Sequence, residues 1–490
     1  MTQIQMVLIA NRGEIAVRII RTLKEMGITS VVVYHAADAD SIAVQQADEA
    51  IEISGPTPVA AYIDQDNIIN ACKQTGADAI HPGFGFVSEN AGFVRRVQDE
   101  GITFIGPKPE TIDLMGNKVG ARTFCIENNH PIAPSVTDEG GMDTFIEQAR
   151  EIGTPLLIKA AAGGGGKGMH IVRDVAEIET AIKLASTEAL RSFGDSQVYA
   201  ERYIDTPRHI EVQVLADHHG NVVHLGEREC SIQRRFQKVV EEAPSPTIDA
   251  ELRERICAAA VEIAESANYR NAGTVEFIME PSGKFYFLEM NTRIQVEHPI
   301  TEAITGVDIV EQQIRIARGE ELSLRQSDIK FSGHAIEVRL YAEDCDNDFA
   351  PATGPLLVYR PAEGIRFDNG FNEGQAVTSA FDPMLAKIVV HGENRNEAIT
   401  KAIDGCENTL VMGVTTNADF LKRILKHPAF VAGKTHTGFI PEHSESLAAP
   451  ELNDDQLQVL LTAAALSNRA FNDPELTAPE LHANIGNWRN

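Results

Sequence analysis

The chain has 490 residues, 43% hydrophobic and 23% charged, with 37 Gly and 22 Pro, which is the composition of a globular protein of about three domains. Lys and Arg number 43 against 71 Asp and Glu, a net charge of -28 that argues against a nucleic-acid partner and requires any phosphate to be held by local basic and backbone groups. No apolar run reaches the roughly 18 residues of a membrane helix, Met1 to Ala10 carries no basic region, and the six scattered cysteines (no C-x-x-C pair) suggest neither a disulfide framework nor a zinc site, so the cytoplasm is expected.

From the N-terminus, Met6 to Ala10 reads as a strand, Asn11-Arg12-Gly13-Glu14 as a turn, Ile15, Ile19, Leu23 and Met26 as one helix face, and Ser30 to Tyr34 as a β-branched strand. This βαβ unit is followed by two similar alternations. They end at Ala79-Ile80, before His81-Pro82-Gly83-Phe84-Gly85-Phe86, and at Thr103-Phe104-Ile105, predicting a small α/β domain over residues 1–115. A second alternating domain spans 116–332.

Within it, Leu156 to Lys159 leads into Gly163, Gly164, Gly165 and Gly166, with Lys167 following. Consecutive glycines let backbone N–H groups close on phosphate oxygens, and Lys159 and Lys167 add positive charge. A β-branched strand follows the run, where a Rossmann fingerprint needs a helix, and Gly168 stands where a Walker A loop has Ser or Thr. The expectation is a glycine hairpin acting as a flexible lid over nucleotide phosphates, the alternative being a plain surface loop. The chain has no His-Arg-Asp or Asp-Phe-Gly of a protein kinase.

Gly273 to Met279 and Lys284 to Asn291 read as strands joined by Pro281-Ser282-Gly283. A two-residue loop at Ser282-Gly283 places Glu276 directly opposite Glu289. Like charges about 5 Å apart repel by roughly 3 kcal/mol at an effective dielectric of 20, so a counter-charge is needed, and two carboxylates with phosphate oxygens suit Mg²⁺. Asn291, on the face of Glu289, is a third oxygen ligand. If the strand continues, Arg293, Gln295 and Glu297 share one face: Arg293 to hold a planar oxyanion, Glu297 to take its proton. An ordinary Arg293–Glu297 salt bridge is the alternative. Beyond 332, His334 to Tyr341 and Leu385 to His391 predict a mainly antiparallel domain to residue 446. A tail, 447–490, holds one helix marked by Leu457, Leu460, Leu461 and Ala464, then Pro474, Pro479 and Trp488.

Ile9-Ala10-Asn11-Arg12-Gly13-Glu14-Ile15-Ala16, His81 to Asn90, the glycine run, Gln233-Arg234-Arg235 with Lys238 to Pro244, and Glu289 to Pro299 closely resemble biotin carboxylase, an ATP-grasp enzyme, over residues 5–445. The resemblance implies an α/β and α+β multidomain fold: an α/β domain ahead of the ATP-grasp domain, a lid at about 133–204, and a mainly antiparallel C-terminal domain. It implies a ligase that uses ATP, with Mg²⁺ or Mn²⁺, to convert bicarbonate to carboxyphosphate, and then carboxylates biotin on a carrier in trans. Lys118, Lys159, Gly163 to Gly166, Glu201, His209 and Gln233 resemble the nucleotide set, and Lys238, Arg293, Gln295 and Val296 the bicarbonate set. Glu297 resembles the base, and Arg339 the residue that stabilises carboxyphosphate and the biotin enolate.

The implied partners are a biotin carboxyl carrier protein and carboxyltransferase subunits of an acetyl-CoA or other acyl-CoA carboxylase, as in fatty acid metabolism, with the chain itself a homodimer. No nucleic acid or membrane partner is expected. The family attaches biotin to the lysine of Met-Lys-Met, and none of the ten Met is followed by Lys, so this chain is expected to carry no biotin. The tail resembles the segment leading toward carrier-linking domains in larger acyl-CoA carboxylase α chains. Phe236 stands where the family has a polar residue, and Ala162 replaces a glycine. The Phe236 ring is expected to pack on the nucleotide side beside Arg234, Arg235 and Lys238. Another ATP-grasp carboxylate ligase and a non-catalytic nucleotide-binding regulatory subunit are the alternatives.

Overall fold

The computed structural model describes residues 3–137, 140–160, 169–450 and 453–471. Residues to Leu447 form one compact unit and those from Ala448 a second.

In the first unit, β1 (Met6–Ile9), α1 (Gly13–Glu25), β2 (Thr29–Tyr34), β3 (Glu49–Glu52), β4 (Ala79–His81) and β5 (Thr103–Phe104) give an all-parallel sheet of order β3-β2-β1-β4-β5. Val7, Leu8 and Ile9 are fully buried, as a central parallel strand covered on both faces must be. α1 begins at Gly13, inside the segment expected as a turn, and turns Ile15, Ile19 and Leu23 into the core. Asn11 Nδ2 donates to the carbonyl oxygens of Pro82 and Phe84, each at 2.7 Å. Gly83 sits at φ +62° with Asn11 where a Cβ would stand, so the two motifs lock together.

After α2 (Lys118–Glu127) comes a four-stranded antiparallel sheet of β6 (Ser135–Thr137), β7 (Leu156–Ala160), β8 (His170–Val172) and β9 (Val198–Arg202), ordered β6-β9-β7-β8. β7 and β8 pair antiparallel, Ile158 opposite His170, which is the strand pairing expected around the glycine run. The run itself, Gly163 to Gly166 with Lys167, lies outside the described residues, as does Ala162.

The largest sheet has eight antiparallel strands: β10 (Arg208–Ala216), β11 (Val222–Arg234), β12 (Gln237–Ala243), β13 (Asn271–Met279), β14 (Phe285–Asn291), β15 (His334–Tyr341), β16 (Arg366–Asn369) and β17 (Met384–Gly392), ordered β14-β13-β10-β11-β12-β15-β17-β16. Strands on either side of residue 332 therefore share one sheet. α3 (Ala250–Ser266) packs Ile256, Ala260 and Ile263 with Ile210, Val212 and Val275. α4 (His298–Thr305) packs Ile300 and Ile304 with Ala243, Ala335 and Val389. In the second unit, the expected tail helix is α5 (Asp454–Phe471). Pro474, Pro479 and Trp488 lie outside the described residues. Among the described residues no helix is long and apolar enough to cross a membrane.

Three expectations change. Met279 pairs with Phe285, and Glu280 N–H donates to Lys284 O at 2.7 Å, so the β13–β14 loop is the three residues Pro281-Ser282-Gly283 and not two. A bulge at Leu288 then restores Glu276 opposite Glu289, and the expected pairing results from two departures that cancel. β14 ends at Asn291, so residues 292–297 are irregular and the strand alternation assumed for Arg293, Gln295 and Glu297 does not exist.

The third concerns Phe236. Arg234 pairs with Gln237 around a two-residue turn in which Arg235 and Phe236 stand at φ +49° and +69°, the type I′ geometry. Phe236 is 70% exposed, and its ring does not pack beside the neighbouring cations. Arg234 instead lies over Phe349 at 4.5 Å, and Arg235 pairs with Asp348 at 2.7 Å. Left-handed backbone costs a side-chain-bearing residue roughly 1–2 kcal/mol. Phe236→Gly is accordingly expected to raise the thermal unfolding midpoint; a midpoint lowered by the change would contradict this account of the turn.

Candidate active site

β10 alternates Ile210, Val212 and Val214 into the core beneath α3 with His209, Glu211 and Gln213 on the opposite face. Register sets Glu211 opposite both Arg228 of β11 and Glu276 of β13, and Glu276 opposite Glu289 of β14. Three carboxylates and a guanidinium thus stand in a row across four strands. Lys238 of β12 reaches in: its Nζ donates to Glu211 Oε2 at 2.5 Å, Glu276 Oε1 at 2.9 Å and Glu297 Oε1 at 2.6 Å. The fully buried Arg228 donates to Glu211 at 2.5 Å, Gln213 at 2.9 Å, Gln295 Oε1 at 2.7 Å and Thr301 at 3.0 Å.

The segment after β14 closes the site. Gln295 Nε2 donates to Glu276 Oε1 at 2.6 Å, and Asn291 Nδ2 to the same oxygen at 2.8 Å. Arg293 donates through Nη2 to Asn291 Oδ1 at 2.8 Å and through Nε to Glu89 Oε2 at 3.1 Å. Its acidic partner is therefore Glu89, from the His81 to Asn90 motif, and not Glu297. Glu297 accepts from Arg339 Nη2 at 3.1 Å, and Arg339 Nε donates to Glu241 at 2.6 Å. The Val296 carbonyl accepts from Lys387 Nζ at 2.8 Å. The His209 ring lies 2.9 Å from Glu276 Oε2 on one side and 2.9 Å from Gln233 Nε2 on the other.

Lys159 and Glu201 form an ion pair in a second cluster on β7 and β9, where Glu201 also accepts from Arg122 Nη1 of α2 at 2.8 Å. Lys118 is the first residue of α2 and exposed; its charge reaches Glu289. Sequence reasoning missed Glu211 and Arg228, and also the buried Glu241, Glu337, Lys387 and Glu14. The available signal for Glu211 was the polar series His209, Glu211, Gln213 inside an apolar strand.

Burial alone would push the Glu276 and Glu297 carboxyls up. Lys238 with His209 overcomes this at Glu276, and Lys238, Arg339 and Arg228 at Glu297, so both are held below the usual carboxylate range. Glu211, Glu276 and Glu297 in turn raise Lys238 against its burial. The counter-charge inferred for Glu276 is therefore this lysine. Glu289 is the carboxyl left wanting: burial, then the charge of Glu276, pushes it up, and among the described residues no donor hydrogen-bonds it. That donor set fits a hard divalent cation between Glu276 and Glu289, whereas the Asn291 oxygen is taken by Arg293.

Residues 3–112 match the family model "Biotin carboxylase, N-terminal domain", 117–325 "Carbamoyl-phosphate synthase L chain, ATP binding domain" and 337–442 "Biotin carboxylase C-terminal domain". The chain belongs to the biotin carboxylase family. Its members are ATP-dependent ligases of the ATP-grasp fold that use ATP, Mg²⁺ and biotin, and that fold and enzyme class are this chain's.

A biotin carboxylase of Halalkalibacterium halodurans is 48% identical over 443 residues, covering 89% of this chain and 97% of that one. The mitochondrial methylcrotonoyl-CoA carboxylase subunit alpha of Dictyostelium discoideum is 45% identical over 466 residues, covering 94% of this chain and 67% of that one. The corresponding subunit of Rattus norvegicus is covered over 62% of its length, so the chain spans about two thirds of these longer relatives. Among solved structures, the biotin carboxylase domain dimer of Hydrogenobacter thermophilus 2-oxoglutarate carboxylase, in complex with MgADP, ADP and bicarbonate, superimposes with TM-score 0.86 at 42% identity, covering 92% of this chain and all of that one.

Glu276 and Glu297 have lower pKa values folded than unfolded, so their stabilisation is full above the ordinary value of 4.5, declines below it, and is lost as pH falls through the lower folded values. The unfolding midpoint is expected to drop steeply below about pH 4.5, and less steeply in Glu297→Gln. An equal slope in the variant would show that Glu297 is not held ionised.

Proposed function

We propose that the chain carboxylates biotin on a carrier protein in trans, using ATP and bicarbonate, as one component of an acyl-CoA carboxylase. The observation that carries the reading is the convergence of Lys238, Gln295, Glu297 and Arg339 beside Glu276 and Glu289, in a chain 48% identical to a biotin carboxylase.

Lys238, Arg293, Gln295 and the backbone at Val296 hold bicarbonate, with Val296 fixed by Lys387. Glu297 takes its proton. A carboxylate held so far down is a weak base, but an arriving anion shares Lys238 and Arg339 with it and so raises its affinity for a proton. The bicarbonate oxygen then attacks the γ-phosphorus of ATP and ADP leaves; the C–O bond of the carboxyphosphate breaks to give CO₂ and phosphate, the phosphate takes the N1′ proton of biotin, and N1′ of the resulting enolate adds to CO₂. Arg339 stabilises carboxyphosphate and the biotin enolate. Lys118, Lys159, Glu201, His209 and Gln233, together with the glycine run Gly163 to Gly166, are the nucleotide-binding set. Glu276 and Glu289, beside Asn291, hold Mg²⁺, or Mn²⁺ in its place, which when bound neutralises phosphate oxygens. The functional division is 1–115, 116–332, 333–446 and 447–490.

A carrier protein, a carboxyltransferase and a second copy of the chain complete the assembly; the dimer named for the Hydrogenobacter relative supports the last. Six free cysteines favour a reducing compartment, the cytoplasm. The alternative of a non-catalytic regulatory subunit gains no support from Phe236, the departure from the family pattern, which stands exposed in a turn.

A positioned base contributes roughly 10²–10⁴ in rate, so Glu297→Gln should lose bicarbonate-dependent ATP hydrolysis by about that factor while still binding ATP. Loss of less than about tenfold would reduce Glu297 to an ion-pair partner. For the cation site, Glu289→Gln should weaken turnover most at limiting Mg²⁺, with the fold intact by circular dichroism; activity equal to wild type under that condition would remove Glu289 from the ligand set.

A further inference from the structure

The sheet face beneath α4 carries more ionisable groups than the proposed reaction uses. Glu241 of β12 stands directly opposite Glu337 of β15, with Arg339 two residues along β15 and Lys387 opposite Arg339 on β17. Both carboxyls are fully buried. Arg339 occupies Glu241 Oε1, whereas among the described residues Glu241 Oε2 and both oxygens of Glu337 have no hydrogen-bond partner. Lys387 does not fill the gap: its Nζ lies 2.9 Å from Glu14 Oε2 and donates to the Val296 carbonyl.

Two buried carboxylates facing each other across adjacent strands, with three oxygens lacking donors, cannot both stay ionised. A single proton shared by the pair partners two of those three oxygens and removes one of the two negative charges. We propose that Glu241 and Glu337 share one proton, carried chiefly by Glu337, and that Glu337 is thereby a positioning residue for Arg339. With the proton in place, one negative charge on Glu241 and one on Glu297 hold the guanidinium between them. When it leaves, the second charge draws Arg339 toward the pair and away from Glu297 and the substrate.

Burial pushes Glu337 well up and Glu241 up to about 7, against Lys387 at the first and Arg339 at the second. The other charged and titratable groups whose charge reaches the pair are Lys238 on β12, Tyr341 on β15 and Glu297 before α4, while Glu14 on α1 and His298 at the start of α4 act on Lys387. None supplies the missing donor.

Only the kinetic arm of the test rests on the proposed function. Infrared difference spectra of the resting full chain should show a carboxylic-acid C=O band that is present at neutral pH, disappears as the pH is raised, and is absent from Glu337→Gln, whose amide is neutral and donates permanently. In bicarbonate-dependent ATP hydrolysis, Glu337→Gln should keep activity within about threefold at neutral pH and lose the alkaline decline of the wild type. No such band in wild type, or one unchanged in the variant, overturns the shared proton; an identical alkaline decline in both proteins overturns the coupling to Arg339. Should the variant not fold, the wild-type band decides, its absence overturning the proposal. A chain without bicarbonate-dependent ATP hydrolysis would refute the functional reading and leave the infrared result to settle the proton.

Discussion

The Lys238 ammonium is what allows this site to exist. Glu211 and Glu276 face each other across adjacent strands, and Glu297 enters from the segment before α4; all three carboxylates meet at one nitrogen within 2.9 Å. Each ion pair is worth about 6 kcal/mol at 2.6 Å and an effective dielectric of 20. Removing the participating ions from water costs several kcal/mol apiece. The two sums are comparable, so the network adds little net stability. Its consequence is positional: a small change in where one charge sits moves every other, and the approach of an anion reaches Glu297, Arg339 and Glu276 together.

That explains why the polar groups come from strands. Arg228, with five donors in a fixed plane, grips Glu211, Gln213, Gln295 and Thr301, and so ties the irregular segment 292–297 to β10 and α4 through Gln295. The loop that follows β4 is tied in by Glu89 through Arg293, and α1 is tied to α4 by the buried Arg18, paired with Glu302 at 2.6 Å. The contact between Glu89 and Arg293 thus joins residues more than 200 positions apart at the site, and that of Arg18 with Glu302 joins residues more than 280 apart beside it.

Much of this was legible in the sequence because it is local. The β13–β14 pairing, the helix stripe of α1 and the strand pairing across the glycine run all follow from periodicity and turn residues. The exceptions are instructive. The loop was one residue longer than counted and a bulge at Leu288 compensated, which no period-2 pattern can reveal. Gln295 and Glu297 reach the site, but through a turn, guided by Arg228 and Lys238, whose partners are distant in sequence. Arg339 reads as a surface charge on a strand and is buried, because α4 covers that face only after the chain has folded back. Glu241 and Glu337 gave no signal at all: nothing in either strand announces that its acidic residue will meet another.

The single eight-stranded sheet also bears on how this chain can be divided. β12 and β15 are neighbours, registered from Val240 opposite Val338 to Ala243 opposite Ala335, although more than ninety residues separate them. A protein severed near residue 332 would leave each fragment with a raw strand edge, one ending in β12 and the other beginning with β15, both rich in unpaired backbone groups. Such fragments are complementary surfaces for one another. Reassembly of the two polypeptides would restore Glu241 opposite Glu337 and Arg339 beside Glu297 by the same ladder that joins the strands, so recovery of the site after fragment mixing reports the zipping of that strand pair together with the packing of α4 on β15 and β17.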